Sequence, residues 1–376
     1  MKRILIANDL LRGGGVENVL ESLVHYLIKR GNEVTLMIPN CSEHEARSIF
    51  GDDIKVYPSI RALKDVKKYS LYWFLDRGLY ILQKQLCKIR LSGMKYDVMI
   101  ALKEGPIMKE LAWVYARKKY AWVHSDYNMM HWSSEYFRSA KHERKCMKQY
   151  QNVVCVSNAV MKSVIETVGN PGNLCIKYNP IDYRKIRVKA KEPCRVKKQT
   201  DGLLFVSIGR LAYPKNYALL IDVCNELSKE YFFELWIIGD GPDYQELQNK
   251  LDTYQTNCIK LLGGETNPFS YLQQADAYIS ASLVESYGLA VQEALILGKP
   301  VIAVKCPAIE ENLDSSFGVL TDSTYQGLKD SLEDILSNPQ KILVYQDSIE
   351  KQYYVKDKFE HRLLEIEKLW ETEDGK

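Results

Sequence analysis

The chain of 376 residues is 46% hydrophobic and 26% charged, a composition that is typical of folded proteins and excludes an intrinsically disordered one. This length exceeds what one ordinary hydrophobic core holds, so we expect two domains. The net charge of +3 is close to balance and by itself indicates no charged partner.

The nine cysteines are scattered along the chain, and none forms a CxxC pair or has a spacing typical of metal ligands. Such a set is typical of free thiols in a reducing compartment rather than of a disulfide framework. The apolar run near the N-terminus is shorter than a signal-peptide core, and no segment reaches the ~20 consecutive apolar residues of a membrane span. We therefore expect a cytoplasmic protein.

The first half of the chain alternates short apolar runs with amphipathic segments. Ile4–Ala7 and Val34–Ile38 are typical of buried strands, and between them lie a glycine loop at 13–15 and an amphipathic helix near Val16–Lys29. This βαβ order predicts a parallel sheet. The other predicted strands of this first domain, residues 1–185, are Val98–Ala101, Ala121–Val123, Val153–Val156 and Cys175–Tyr178.

Residues 186–202 are rich in Lys and Arg and poor in large apolar side chains, which is typical of a solvated linker. A second series of strands and helices follows over residues 203–356, and we expect a last helix in 357–376 to pack back on the first domain. The sequence thus predicts an α/β protein of two doubly wound units, with a ligand bound between them at the carboxyl ends of their strands. The predicted strands of the second series are Leu203–Ile208, Phe233–Ile238, Ile259–Leu262, Ala277–Ile279 and Val301–Val304.

The segment 276–300 carries the strongest functional signal in the chain. A buried strand at Ala277–Ile279 precedes a turn with Glu285, and a predicted helix at Gly288–Leu297 carries Glu293. At helical spacing the two side chains are turned only about 80° apart, so we expect both carboxylates to face one pocket. The free N–H groups at the helix N-terminus suit a phosphate. The segment is therefore a predicted diphosphate site flanked by two hydroxyl-binding acids.

Two cations follow the first strand of the second series. Arg210 comes directly after Leu203–Ile208, and Lys215 lies at the start of the next predicted helix. Cations at the carboxyl edge of a sheet can neutralise a diphosphate and stabilise it as it leaves. Taken alone, the pair is better explained as ordinary surface charge. The neighbouring segment 276–300 favours the diphosphate interpretation.

Glycines mark two further turns that a ligand could approach. Gly239 and Gly241, followed by Pro242, come directly after a predicted strand, where the alternative is a common connection to a helix. The loop Gly13-Gly14-Gly15 lacks the full GxGxxG spacing and the acidic residue of a dinucleotide site. It is either a plain turn or a loop that faces a phosphate or a sugar.

His124 follows the predicted strand Ala121–Val123. Side chains at the carboxyl end of a parallel strand can reach a ligand, which makes His124 a candidate site residue. The alternative is a structural histidine, which is the more frequent role of an isolated one.

Basic and aromatic residues are interleaved between residues 61 and 95. A helix with these two kinds of face can lie on an anionic membrane surface. The alternative is an amphipathic helix docked on the first domain with a solvated basic face. Nucleic acid is a poorer explanation, because no recognition motif accompanies the charge. The basic residues are Arg61, Lys64, Lys67, Lys68, Arg77, Lys84, Lys88, Arg90 and Lys95, and the aromatic ones are Tyr69, Tyr72, Trp73, Phe74 and Tyr80.

Together these motifs resemble the retaining glycosyltransferases of family 4, the "glycosyl transferases group 1" class with a GT-B fold. The run from Glu285 to Glu293, Glu-Ser-Tyr-Gly-Leu-Ala-Val-Gln-Glu, is similar to the E-x7-E signature of that family. Ser-Ile-Gly-Arg-Leu at 207–211, Ile-Gly-Asp-Gly-Pro at 238–242 and Asn-Pro-Ile-Asp at 179–182 also occur in the order of the family. The resemblance implies two Rossmann-like domains that face a central cleft.

The resemblance also implies a role for each candidate residue. Glu293 would accept hydrogen bonds from the ribose hydroxyls of the donor, and Glu285 would lie beside the transferred sugar. His124 would contact that sugar from the first domain. The donor diphosphate would be bound by Arg210, Lys215, Gly288 and Leu289, with Gly14 or Gly15 facing the phosphates or the acceptor. The base would lie near Gly263, Gly264 and Glu265.

The activity implied is transfer of a hexose-type sugar from a nucleotide diphosphate, UDP in most relatives, with retention and without a metal or other cofactor. The acceptor would be a polyprenyl-diphosphate-linked sugar or an oligosaccharide, in the biosynthesis of a surface polysaccharide such as a capsule. The membrane interpretation of residues 61–95 would place the protein at the inner face of the cell membrane. Two alternatives are a sugar-nucleotide epimerase of similar shape and a non-catalytic sugar-binding subunit.

Overall fold

The computed structural model describes residues 1–11, 14–39, 41–57, 89, 91–199, 201–353 and 355–371. The chain forms two compact units, the first made of Met1–Pro180 with Glu360–Lys376 and the second of Ile181–Phe359. Each unit contains a parallel β-sheet with helices in its strand connections. The predicted α/β class, with two Rossmann-like domains, is confirmed.

In the described part of the first unit, a seven-stranded sheet has the order β3-β2-β1-β4-β5-β6-β7. Its strands are β1 Arg3–Ala7, β2 Glu33–Met37, β3 Lys55–Val56, β4 Val98–Ala101, β5 Lys118–Val123, β6 Asn152–Cys155 and β7 Leu174–Ile176. Its helices are Gly15–Lys29, Glu43–Phe50, Pro106–Leu111, Ala140–Met147, Asn158–Val168 and most of Val355–Glu371, with a 3₁₀ turn at Trp132–Tyr136.

The strand order of this sheet reverses at β1. The chain first builds outward through β2 and β3, and then returns to pair β4 with the other side of β1, in the register Ala7 to Ala101. In open parallel sheets the crevice beside such a switch point is where ligands bind. The loops after β1, β4 and β5 therefore leave the sheet at the edge where such ligands bind.

The described part of the second unit contains a six-stranded parallel sheet of order β10-β9-β8-β11-β12-β13. Its strands are β8 Leu203–Ile208, β9 Phe233–Ile238, β10 Ile259–Gly263, β11 Ala277–Ser280, β12 Val301–Val304 and β13 Gly318–Thr321. Its helices are Tyr183–Lys189, Tyr217–Leu227, Tyr244–Tyr254, Phe269–Gln274, Leu289–Ile296, Pro307–Asn312, Tyr325–Ser337 and Gln340–Gln352, with 3₁₀ turns at Tyr213–Lys215 and Ser315–Phe317.

Here the switch point lies between β8 and β11, which pair in parallel. Successive residues of β8 face opposite sides of the sheet, with Phe205 in one buried cluster and Leu204 and Val206 in another. Helices therefore cover both faces of this sheet. The loops that carry Arg210 and Glu285 follow the two strands that flank the switch point.

The predicted linker at 186–202 begins inside a helix, Tyr183–Lys189, which belongs to the second unit. The Asp182 carboxylate caps this helix by accepting hydrogen bonds from the N–H groups of Arg184 and Lys185, and Ile186 is buried. The high content of Lys and Arg hid the capping signal in the sequence. The boundary between the units therefore falls at residues 180 and 181 rather than at 185.

The last helix, Val355–Glu371, contributes its second half to the first unit. The Lys118 ammonium donates to the Trp370 carbonyl at 2.8 Å, and the Tyr120 hydroxyl donates to the Leu369 carbonyl at 2.6 Å. A cation at the C-terminal end of a helix is favoured by the helix dipole. Trp370 itself is buried, so the end of this helix is anchored to the first unit at several points.

Most of the basic aromatic stretch at 61–95 lies outside the described residues. Within the described ranges, no helix is both long and apolar enough to cross a bilayer. The eight cysteines in these ranges are free thiols.

Candidate active site

The second unit joins the Lys215 loop directly to the Glu285 loop. The Lys215 ammonium contacts the Glu285 carboxylate at 2.5 Å between Nζ and Oε1, and the Leu283 N–H donates to the Pro214 carbonyl at 2.9 Å. The two side chains are only 24% and 15% exposed. One loop follows β8 and the other follows β11, so the pairing of these strands brings the two charges together.

Arg210 lies at the same edge of the sheet and is exposed. No described residue forms an ion pair with its guanidinium. A guanidinium presents a planar fork of N–H groups that matches phosphate oxygens. Arg210 is therefore available to an anionic ligand, whereas one donor of Lys215 is already used by Glu285.

The helix Leu289–Ile296 follows the Glu285 loop directly in the sequence. Gly288 precedes it with a φ of 78°, a left-handed conformation that favours glycine, and no side chain caps this end. A Cβ on Gly288 would lie 2.6 Å from Ile309 Cδ1, so a larger residue would also have to displace the end of that side chain. Because Glu285 lies before this helix and not on it, the expectation of an 80° helical separation from Glu293 is wrong.

Glu293 is a carboxylate inside the apolar helix Leu289–Ile296. Burial raises its pKa to about 7, and no opposing effect of a cation is present in the described residues. The charges of Glu285 and Glu293 both act on the Tyr278 hydroxyl of β11 and help to raise its pKa, although burial is the main cause. Both acids are therefore close to one buried phenol.

Replacing Glu293 with Gln is expected to raise the melting temperature more at pH 8 than at pH 5. The pKa of Glu293 in the folded protein is about 7, above the usual 4.5. Between these pH values the folded protein holds a proton that the unfolded chain releases, so the folded protein loses stability as the pH rises through this range. Gln carries no charge to bury at any pH. Thermal melts at both pH values test this, with the exposed Glu246→Gln as the control. If Glu293→Gln changed the melting temperature equally at both pH values, this prediction would be wrong.

Three further side chains near the pair escaped the sequence analysis. Tyr217 and Cys306 both interact electrostatically with Glu285, and burial raises the pKa of the Cys306 thiol. Tyr278 donates to the Ile208 carbonyl at 3.3 Å. Their types and positions are those of ordinary buried core residues, so nothing in the sequence pattern distinguished them.

The glycine turn after β9 has a structural explanation. A Cβ on Gly239 would lie 1.8 Å from the Gly209 carbonyl oxygen, and one on Gly241 would lie 2.1 Å from the Leu211 carbonyl oxygen. Side chains at either position would therefore collide with the backbone that leads to Lys215. These glycines let the loops after β8 and β9 pack together.

The predicted base-binding residues, 263–265, begin at the last residue of β10. Gly263 has a φ of 75° next to a break in the strand register, and its carbonyl accepts a hydrogen bond from the Gly239 N–H at 2.9 Å. The Glu265 carboxylate pairs with Arg195. A base bound beside Gly263, Gly264 and Glu265 would thus meet backbone groups and a carboxylate that is already paired.

In the first unit His124 lies at the end of β5 and is buried. Its backbone N–H donates to Glu104 Oε2 at 2.9 Å, and the Trp132 indole N–H donates to Glu104 Oε1 at 2.9 Å. Burial lowers the pKa of the His124 imidazole, and the charge of Glu104 opposes this effect. Glu104 is 1% exposed and was not singled out from the sequence, because a lone Lys-Glu-Gly turn carries no motif.

The glycine loop of the first unit leads into the helix Gly15–Lys29, with Gly14 directly before it. Gly13 lies outside the described residues. The Glu17 carboxylate lies in the first turn of this helix, with Oε2 3.1 Å from where a Cβ of Gly14 would stand. The positive end of the helix thus already has an acid of this chain beside it.

No cluster of three or more His, Cys, Asp or Glu side chains that could hold a metal occurs among the described residues.

Two family models together match most of the chain. "Glycosyltransferase Family 4" matches residues 13–185 and "Glycosyl transferases group 1" matches residues 188–352. The chain is 31% identical over 171 residues to an uncharacterised glycosyltransferase of Methanocaldococcus jannaschii, which is 43% of this chain and 42% of that protein. Each of the two family models covers a little less than half of the chain.

A second relative is the N-acetylgalactosamine-N,N'-diacetylbacillosaminyl-diphospho-undecaprenol 4-alpha-N-acetylgalactosaminyltransferase of Campylobacter jejuni. It is 32% identical over 173 residues, which is 44% of this chain and 46% of that protein. The matched part of the chain thus spans less than half the length of these two relatives.

Among solved structures, the Anabaena protein HepE in complex with UDP and glucose has a TM-score of 0.73 at 16% identity, over 98% of this chain and 100% of that one. A likeness at this identity shows the fold, which is GT-B. With both family models in their expected order along the chain, the protein belongs to the family 4, or group 1, glycosyltransferases.

Proposed function

We propose that the protein is a retaining, metal-independent glycosyltransferase that moves a hexose-type sugar from a nucleotide diphosphate to a lipid-linked or oligosaccharide acceptor. The observation that carries the proposal is the Lys215–Glu285 pair at the switch point of the second sheet, with exposed Arg210 on the same edge. The Lys215 ammonium can bind a diphosphate and the Glu285 carboxylate can bind a sugar, and the two groups contact each other there at 2.5 Å.

Each group of the second unit then has a part in donor binding. Arg210 and Lys215 bind the diphosphate together with the N–H groups of Gly288 and Leu289, which have no acceptor within a helix. Glu293 accepts hydrogen bonds from the ribose hydroxyls, for which a partly buried carboxylate without a cation is suited. The base lies beside residues 263–265. UDP is the proposed nucleotide, because the similar Anabaena structure was solved with it.

In the proposed reaction the diphosphate leaves the sugar and the acceptor hydroxyl attacks it on the same face of the ring. The bond from C1 to the phosphate oxygen breaks and the bond from C1 to the acceptor oxygen forms, while the acceptor proton passes to the leaving phosphate. Arg210 and Lys215 stabilise the negative charge that develops on the diphosphate, which is the part a metal plays in other transferases. Glu285 orients the sugar and eases the positive charge at C1.

We further propose that His124 contacts the transferred sugar, and that Gly14 and Gly15 contact the donor phosphates or the acceptor. The Campylobacter relative is named for a diphospho-undecaprenol substrate, which supports a polyprenyl-diphosphate-linked acceptor and a role in surface polysaccharide biosynthesis.

We also propose that residues 61–95 contact an anionic membrane from its cytoplasmic side. The support is the density of cations and aromatic rings in that stretch. Sedimentation with anionic vesicles at low salt tests this, and binding that survives reversal of Lys67, Lys68, Lys84 and Lys88 to Glu would refute it.

The test of the function starts with thermal melts in UDP-, GDP- and ADP-sugars, because a ligand that binds only the folded state raises its stability with concentration. The stabilising donor is then incubated with acceptor and a chelator, and the anomeric configuration of the product is read by NMR. A product of retained configuration is expected. An inverted product, an epimerised donor without acceptor, or no stabilisation by any nucleotide would each overturn the proposal.

A further inference from the structure

The helix Pro307–Asn312 lies against the turn that ends at Gly288. The Asn312 amide donates from Nδ2 to the Tyr287 carbonyl at 3.4 Å, which is a long hydrogen bond. The same Nδ2 donates at 2.8 Å to a carbonyl of its own helix, that of Ala308. A side-chain amide has two N–H groups, one for each of these oxygens. Asn312 therefore connects its helix to the main chain of the turn.

Gln292 in turn holds Asn312. Asn312 is the last residue of its helix, so its carbonyl has no partner within the helix, and this carbonyl accepts from Gln292 Nε2 at 3.1 Å. Gln292 Oε1 accepts from the Tyr353 hydroxyl at 2.9 Å, and Gln292 is only 1% exposed. A buried amide that uses both its oxygen and its nitrogen is held in one orientation. The fold therefore fixes Asn312 before any ligand binds.

The Tyr287 carbonyl and the Gly288 N–H belong to one peptide group. No peptide bond among the described residues is cis. In a planar trans peptide the C=O and the N–H point in opposite directions. The Gly288 N–H has no hydrogen-bond acceptor among the residues that the structure describes. By holding the oxygen of this peptide group, Asn312 therefore directs a free N–H away from itself.

We propose that Asn312 is a positioning residue, which holds the Tyr287 carbonyl and thereby directs the Gly288 N–H towards the diphosphate of the donor. The inference rests on the proposed function, in which the Gly288 N–H takes part in diphosphate binding. It adds that the direction of this N–H is set by a side chain of another helix, and that Gln292 keeps that side chain in place.

A single labelled signal reports on this peptide group. The sequence contains only one Tyr-Gly bond, that of residues 287 and 288. The full chain with ¹³C at the tyrosine carbonyls and ¹⁵N in the glycines therefore gives one carbonyl-correlated amide signal, that of Gly288. UDP is expected to move this signal in the wild type, and uridine, which has no phosphate, is expected to leave it in place.

Asn312→Ala is expected to move the Gly288 signal of the free protein, because the Tyr287 carbonyl loses its donor. Calorimetry should show a loss of UDP affinity of about three- to tenfold, the effect of one net hydrogen bond. The affinity for uridine should not change, whereas general damage to the fold would weaken both ligands. Asn312→Asp keeps the shape of the side chain but cannot donate from it, so it should move the Gly288 signal as well.

Asn338→Ala is the matched control. Asn338 directly follows a helix of the second unit, and its Nδ2 donates to the carbonyl four residues earlier, that of Asp334, at 3.2 Å. Its replacement should leave the Gly288 signal and the affinity for UDP unchanged. A Gly288 signal that neither Asn312 variant moves, or equal losses of UDP and uridine affinity in Asn312→Ala, would overturn the proposal.

The same titrations separate this inference from the proposed function. Equal binding of UDP by the wild type and Asn312→Ala, with the same response of the Gly288 signal, would leave donor binding in place and remove the role of Asn312. A wild type that binds no nucleotide diphosphate would overturn the proposed function, and this inference with it.

Discussion

Glu285→Gln is expected to lower the rate of sugar transfer by about 100-fold or more, while the affinity for the donor nucleotide changes by less than about threefold. The carboxylate lies against Lys215 at 2.5 Å and is only 15% exposed, so its charge acts in a poorly solvated place. Gln keeps the size and one hydrogen-bonding oxygen but cannot ease positive charge at C1. Separate measurements of the transfer rate and of the nucleotide affinity test whether the variant loses rate but keeps affinity.

The control for this prediction is Glu246→Gln. Glu246 is an exposed acid on the helix Tyr244–Tyr254 of the same unit. Its replacement should leave both transfer and nucleotide affinity unchanged. Near-normal turnover of Glu285→Gln, with the fold intact in thermal melts, would remove Glu285 from the chemistry.

Lys215→Met is expected to lose donor affinity and turnover together, in contrast to Glu285→Gln. The ammonium has three donors, and one of them is used by Glu285, so the others can bind the diphosphate. Removing a buried, charge-assisted contact of this kind costs about 2–4 kcal/mol, which is a loss of about 30- to 1000-fold. Calorimetric binding of UDP and single-turnover transfer rates measure the two effects.

The double variant Lys215→Met with Glu285→Gln shows whether the two residues act as a pair. Lys215→Met leaves the Glu285 carboxylate without its cation in a mostly buried place, where its negative charge repels the diphosphate of a bound donor. The double variant should therefore bind UDP more tightly than Lys215→Met alone. Losses that simply add would mean that the ion pair has no part in donor binding.

The alternation of elements could be predicted from the sequence because each strand is a short apolar run between polar turns. Ile4 to Ala7 and Val98 to Ala101 are buried on both faces of their sheet, which produces such runs. Two of the short edge strands show no such run. Lys55–Val56 and Gly318–Thr321 were both missed, because their residues are too few or too exposed to form a pattern.

The sequence predicts candidate residues for the site but not the contacts between them. Arg210, Lys215, Glu285 and Glu293 lie in recognisable motifs, whereas the bond between Lys215 and Glu285 depends on β8 and β11 being neighbours. The pKa of Glu293 depends on how deeply its helix is buried, which no local pattern contains.

Glu104 was not singled out. It follows β4 without a motif of its own, and only the adjacency of β4 and β5 brings it to His124.

The return of the last helix to the first unit has a consequence for how the chain is made. Residues 181–359 are one continuous stretch and can close their own core as soon as they leave the ribosome, whereas the first unit still lacks the segment from Glu360 onwards at that point. The carbonyl groups of Leu369 and Trp370, which accept from Tyr120 and Lys118, emerge only after the whole second unit has been made. The first unit is therefore completed after the second, and loss of the segment from Glu360 onwards damages a unit whose strands all lie before residue 181.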